Sequence, residues 1–191
     1  MPLPSPAVIG YSYGLSELLL SLLRRSKGGG HPLDRGSLRL LWAVIILSVV
    51  AANFVVATVP SFHLPRPAYP LAVGLFAAGL VLRWYAIIYL GRFFTVNVAI
   101  QKDHHVIDSG PYRFVRHPSY TGGLLAFVGY GLCLLNGLAL VVLLVPVTAA
   151  YWHRIRIEEA ALTQFLREPY AAYCRRTKRL IPFVYQRGVP H

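Results

Sequence analysis

Uncharged apolar runs alternate with short basic stretches along this chain, and the alternation predicts a set of membrane-crossing helices. The clearest run is 40–59, 20 residues rich in Val, Ile, Leu and Ala, without a charge and stopped by Pro60. Residues 69–90 form the return span and carry one charge, Arg83, about two turns from their end. Arg83 reads most simply as snorkelling to the headgroups; the alternative is that it faces the bundle and helps bind an anionic group. Residues 119–152 contain no Asp, Glu, Lys, Arg or His for 34 positions. A single helix of that length would measure about 50 Å against a hydrocarbon core of about 30 Å. Asn136-Gly137 is a turn signal at its middle, and basic residues flank both ends, so the run predicts a helical hairpin. Earlier, residues 8–23 are apolar but short of the ~20 needed to span, and they hold Ser12, Ser16, Glu17 and Ser21. They read as an interfacial helix, with a poorly spanning helix as the alternative, and the interface is preferred. The fold class expected is all-α: a polytopic membrane helical bundle of about four transmembrane helices, with this extra helix before it.

The connecting stretches set the expected orientation. Residues 24–39 hold three consecutive glycines and five basic residues against Asp34, and read as a flexible cytoplasmic linker. The loop 61–68 has only Arg66 as a charge and fits the opposite side. Residues 91–118 form a polar connector, and 153–191 a C-terminal cytoplasmic helical segment with Leu162, Phe165 and Leu166 at helical spacing. Pro169 breaks that segment or starts a new helix, and Arg175, Arg176, Lys178 and Arg179 form a basic cluster. No repeat or low-complexity tract divides the chain, so it reads as one domain.

Composition agrees with a chain built for lipid. Apolar residues make up 55 %, charged residues 14 %, and mean hydropathy is +0.52, whereas a soluble domain carries about 25 % charged residues. The net charge of +12 would suggest nucleic acid in a soluble protein. Here the basic residues gather at the ends of uncharged runs, the topology signal of a membrane protein, and a nucleic-acid partner is not expected. Cys133 and Cys174 lie in different environments without a metal-ligand companion, so both read as free thiols and no metal is expected. The Met1 end lacks a basic n-region, so no cleavable signal peptide is read.

The candidate chemistry sits in Gly110-Pro111-Tyr112-Arg113-Phe114-Val115-Arg116-His117-Pro118-Ser119-Tyr120-Thr121-Gly122-Gly123. Gly110-Pro111 is a breaker, and Pro118 suits the first position of a helix, where its missing N–H has no intrahelical partner. On its own the stretch also reads as a juxtamembrane anchor with Arg and Tyr at the headgroups. The order of its residues, with His104 shortly before and then Gly110, Tyr112, Arg116, His117, Pro118, Tyr120 and Gly122, resembles the signature of the isoprenylcysteine carboxyl methyltransferase family, in its bacterial type. The resemblance runs from about 90 to 185. It implies an integral membrane enzyme using S-adenosyl-L-methionine, its site facing the cytoplasm, in a bacterial inner membrane. The partners it implies are membrane lipids and a lipophilic or lipid-modified substrate.

A second constellation follows the hairpin. Arg154 and Glu158 stand at i and i+4 and share a helix face. An intrahelical ion pair is the simple reading, though Arg before Glu is the less favourable order, and acids at a membrane boundary are scarce in a chain with only seven. A carboxylate such as Glu158 suits the ammonium of the methyl donor, and the faces of Tyr112 and Tyr120 suit its sulfonium. The helix start at Pro118 suits the donor's carboxylate. By resemblance, the cofactor contacts fall on His104, His105, Val106, Ile107, Tyr112, His117, Pro118, Ser119, Tyr120 and Glu158, and the substrate-orienting arginine on Arg154, with Arg154 and Glu158 carrying catalysis. An amide contact from Asn97 or Gln101 stays open. A carboxylate acceptor is expected, as in isoprenylcysteine carboxyl O-methylation. The alternatives are amine methylation of phospholipids, a nicotinamide-dependent reductase, or a non-enzymatic protein whose charges set topology.

Overall fold

A computed structural model describes residues 3–23, 36–94 and 105–181. The described chain is helical apart from two isolated bridges. In order, α1 covers Pro6–Leu23, α2 Ser37–Thr58, α3 Tyr69–Leu90, α4 Pro118–Cys133, α5 Gly137–Leu166 and α6 Glu168–Arg176. Among the described residues, four stretches, α1, α2, the chain through α3 and α5, are long and apolar enough to cross a bilayer. Large apolar side chains such as Leu47, Leu71, Val81 and Val145 cover the outside of the bundle, the surface a hydrocarbon solvent favours.

The tightest contact joins α3 to α4 and depends on small residues. A Cβ on Gly79 would lie 2.3 Å from the Ala126 nitrogen, and one on Gly129 would lie 2.3 Å from the Phe76 nitrogen. Backbones approach this closely only where side chains are missing, the usual device where lipid offers no hydrophobic drive between helices. The expected hairpin is present, with a turn at Leu134, Leu135 and Asn136. Asn136 acts there less as a turn residue than as a cap. Its Oδ1 accepts from the Ala139 N–H at 3.0 Å, and its Nδ2 donates to the Val59 carbonyl at 2.8 Å. The left-handed position falls on Leu135, at φ 51.

Two expectations are corrected. Helix α1 does not lie apart in an interface. The Tyr69 hydroxyl donates to the Pro4 carbonyl, and further along Arg83 bonds Glu17, thirteen residues on in α1 and fourteen on in α3. Nearly equal spacing along the two helices makes α1 parallel to α3, with Ile9, Tyr13, Glu17 and Leu20 buried against the bundle. Nor does Arg83 snorkel. It turns inward because Glu17 offers a bidentate partner, at 2.5 and 2.8 Å, and the Ser119 carbonyl accepts a third bond at 3.2 Å. Inside a bundle that pairing costs less than dragging a guanidinium along lipid.

The second arm of the hairpin and the segment from 153 onward share one helix. Helix α5 runs unbroken for 30 residues, about 45 Å, so its charged end continues the apolar part as one rigid rod. It stops at Arg167, which takes a left-handed φ of 50, and Pro169 then opens α6 as anticipated.

Candidate active site

Gly110 starts the site with a left-handed φ of 55, and a Cβ there would lie 2.5 Å from the Tyr89 ring. The turn then delivers Tyr112 into the interior. Its hydroxyl donates to the Ala86 carbonyl at 3.2 Å, and its own carbonyl accepts from the Tyr173 hydroxyl at 2.6 Å. Next, Val115 to His117 run beside the stretch after α6. The N–H of Arg116 donates to the Lys178 carbonyl at 2.7 Å and that of His117 to the Arg179 carbonyl at 3.0 Å. The Thr121 hydroxyl reaches the Leu180 carbonyl at 2.7 Å. Three successive carbonyls of residues 178–180 therefore hold the entrance to α4.

Glu159 organises the charges behind this turn. Its Oε1 accepts from Arg116 Nε at 2.9 Å and lies 3.2 Å from His117 Nε2, while Oε2 accepts from Arg179 Nε at 2.8 Å. The carboxylate is buried, so two guanidinium partners are needed to hold its charge. A carboxylate only accepts, so His117 Nε2 carries the hydrogen and, in the neutral ring, Nδ1 becomes the acceptor. Arg116 Nη1 donates to the carbonyls of Thr177 and Cys174. Burial, followed by the negative charge of Glu158, pushes the Tyr112 phenol well up, and burial does the same for Tyr173. Both remain protonated donors. The Tyr170 hydroxyl is sealed from water without a hydrogen-bond partner among the described residues, with the weakly accepting sulfur of Cys174 nearby.

On the neighbouring face of the same helix, Arg154 and Glu158 line a cavity. The Tyr120 hydroxyl donates to Glu158 Oε2 at 3.0 Å, which links the first turn of α4 to the far end of α5. Arg154 is buried, and its Nη1 donates to the Ser37 hydroxyl at 2.6 Å at the start of α2.

The cavity opens to the outside and has a volume of about 140 Å³. Of the residues singled out in the sequence, His105, Val106, Ile107 and Tyr112 line it from the connector. His117, Ser119 and Tyr120 line it from α4, and Arg154 and Glu158 from α5. Pro118 does not: it is fully buried beneath the start of α4 and serves as its first residue. His104, Asn97 and Gln101 lie outside the described residues. The cavity has two characters. Around Glu158 it is polar and aromatic; between α1 and α2 its wall is Leu20, Leu41, Trp42 and Ile45.

Sequence reasoning passed over Glu159, although it is the neighbour of Glu158 and one of only seven acids. Scarcity of acids in so basic a chain was the signal available for it. Arg179 and Tyr173 carried no comparable signal, because a basic aromatic tail is ordinary at a membrane surface.

A helical bundle with apolar spans and a cavity that is charged at one end and apolar at the other defines an integral membrane protein with an internal cavity. Residues 72–164 match the model of the isoprenylcysteine carboxyl methyltransferase (ICMT) family. Protein-S-isoprenylcysteine O-methyltransferase B of Arabidopsis thaliana is 37 % identical over 108 residues, 56 % of this chain and 55 % of the relative. The Schizosaccharomyces pombe protein-S-isoprenylcysteine O-methyltransferase is 31 % identical over 115 residues, 59 % of this chain and 49 % of the relative. The chain thus spans about half the length of the curated relatives it matches. A solved structure of a eukaryotic intramembrane Ras methyltransferase, ICMT, superposes with a TM-score of 0.63 over 96 % of this chain and 69 % of that one. At 22 % identity that likeness speaks for the fold alone.

Proposed function

We propose that this protein methylates the carboxylate of a lipophilic acceptor, with S-adenosyl-L-methionine as donor, at the cytoplasmic mouth of the bundle. The observation that carries the proposal is the 3.0 Å bond between Tyr120 and Glu158, which draws the His117–Pro118 turn and the end of α5 within reach of one small ligand. The residues present suit the donor. Glu158 offers a carboxylate for its ammonium, the faces of Tyr112 and Tyr120 suit a sulfonium, and the start of α4 directs N–H groups and a positive dipole end towards a carboxylate. When bound, S-adenosyl-L-methionine supplies an electrophilic methyl group.

The chain's own residues supply placement. Arg154 lines the cavity and holds the acceptor carboxylate by a bidentate fork. That carboxylate is already ionised at neutral pH, so no strong base has to be found among the lining residues. Leu20, Leu41, Trp42 and Ile45 exclude water from the arm in which the lipophilic body lies. Glu159 fixes the His117 ring, and the carbonyls of 178–180 fix its backbone, so the turn is pre-positioned before any ligand arrives. Arg154, Arg156, Arg175 and Arg176 cluster at this end, and the bias of basic residues supports a cytoplasmic side for it.

Two measurements test the proposal. Purified protein incubated with radiolabelled donor and a membrane lipid extract is expected to label a base-labile ester fraction. Donor binding by calorimetry is expected to weaken about tenfold or more in Glu158→Ala, the scale of a lost charge-assisted hydrogen bond. Unchanged affinity in that variant overturns the assignment of the donor site.

A further inference from the structure

Glu17 and Arg83 remain outside this account, yet both line the cavity. Their side chains keep 7 % and 10 % of their exposure, so the pair is not sealed within the helix contact. Arg83 sits beside the Ser119 carbonyl, one residue before the tyrosine that bonds Glu158. Glu17 stands one turn before Leu20 on the apolar wall, and Ser21, which also lines the cavity, bonds its carbonyl. The pair therefore lies where the charged end of the cavity passes into the apolar arm.

A tether for α1 does not require charge. Ile9, Tyr13 and Leu20 already bury against the bundle, and the Trp84 indole donates to Ser16. Replacing a buried pair by apolar side chains is often neutral or stabilising, so a pair kept at a cavity wall calls for a ligand. The bidentate geometry also selects the ligand's chemistry. Arg83 commits three of its five N–H groups, two to Glu17 and one to Ser119, and each Glu17 oxygen keeps a lone pair beyond its bond to Arg83. A neutral amide or hydroxyl can bond those remaining groups without separating the charges. A second carboxylate or ammonium would have to break the pair and strand a charge.

We propose that Glu17 and Arg83 form a second polar subsite that recognises a neutral amide or hydroxyl group on the acceptor, near the carboxylate that takes the methyl group. The inference rests on the carboxyl methylation proposed above. Glu17 lies outside the stretch 72–164 matched by the family model and Arg83 lies within it, so the subsite joins the matched stretch to a part of the chain beyond it.

Two matched acceptors test it: a long-chain carboxylic acid with an acylamino group on the carbon next to the carboxylate, and the same acid with a methyl group there. The wild-type protein is expected to favour the first by about tenfold or more in kcat/KM, the discrimination that one satisfied buried hydrogen bond provides. In Glu17→Leu/Arg83→Met, which removes both charges together, the ratio is expected to fall to about twofold or less while donor affinity by calorimetry is unchanged. If that variant does not bind donor, Glu17→Gln/Arg83→Gln is read instead, with the preference expected to shrink at least about threefold. Equal use of both acids by the wild-type protein overturns the subsite, as does a folded variant that keeps the full preference. Labelling of neither acid by the wild-type protein overturns carboxyl methylation itself, and the subsite falls with it.

Discussion

Replacing Glu159 by Gln removes one negative charge from a buried point where Arg116, Arg179 and His117 converge. Each hydrogen bond to a charged group is worth about 1.5–3 kcal/mol, and adding three would give roughly 5–9 kcal/mol. The sum overshoots. Gln keeps one acceptor oxygen, Arg116 keeps the Thr177 and Cys174 carbonyls at 2.6 and 3.2 Å, and Arg179 keeps the face of Trp152 at 4.9 Å. What is left is the cost of an under-compensated pair of guanidinium groups, in the lower part of the 3–5 kcal/mol seen when buried pairs are broken, so about 3 kcal/mol. Denaturant unfolding in mixed micelles reads this, and Trp152 fluorescence reports directly on the neighbourhood of Arg179. Release of the 177–181 stretch is expected to speed tryptic cleavage around Arg175, Arg176 and Lys178. A double-mutant cycle with Arg179→Met is expected to return a coupling of about 1–2 kcal/mol. Stability within about 0.5 kcal/mol of wild type, with tryptic cleavage unchanged, would refute the view that Glu159 ties the tail to the His117 turn.

Two further outcomes follow from packing. Gly79→Ala forces a methyl group to within 2.3 Å of the Ala126 nitrogen, so α3 and α4 must separate, at a cost of about 1–3 kcal/mol or more; a melting temperature equal to wild type would mean the two backbones do not meet there. Tyr170→Phe deletes a sealed hydroxyl that lacks a good partner, and is expected to leave stability unchanged or raise it by up to about 1 kcal/mol. A loss beyond that in the same melt would reveal a partner for the hydroxyl.

Spans, hairpin and site turn were legible because each rests on local pattern. The uncharged run 119–152 is too long for one crossing, Asn136 sits at its middle, and Pro118 marks a helix start. What escaped was long-range pairing. Nothing local to Arg83 says that Glu17, sixty-six positions away, will meet it, so snorkelling was the reasonable expectation. Helix α1 was misjudged for the same reason, since its polar residues Ser16 and Glu17 look interfacial until Trp84 and Arg83 are placed opposite them. In the site, Glu158 announced itself through its spacing from Arg154. Glu159 points along the adjacent face of the same turn, and its role depends on Arg179, brought in by the bend at Arg167.

The Glu17–Arg83 pair also bears on how the protein is made. Helix α1 is the least apolar of the four candidate spans and would enter lipid carrying an unmatched carboxylate; α3 would enter carrying an unmatched guanidinium. A charge at mid-helix raises the cost of insertion by about 3 kcal/mol. Each helix relieves the other, yet α3 emerges from the ribosome only after α2 has followed α1. Secure lodging of the first segment therefore awaits the third, and during that interval the nascent chain depends on the insertion machinery to shelter Glu17.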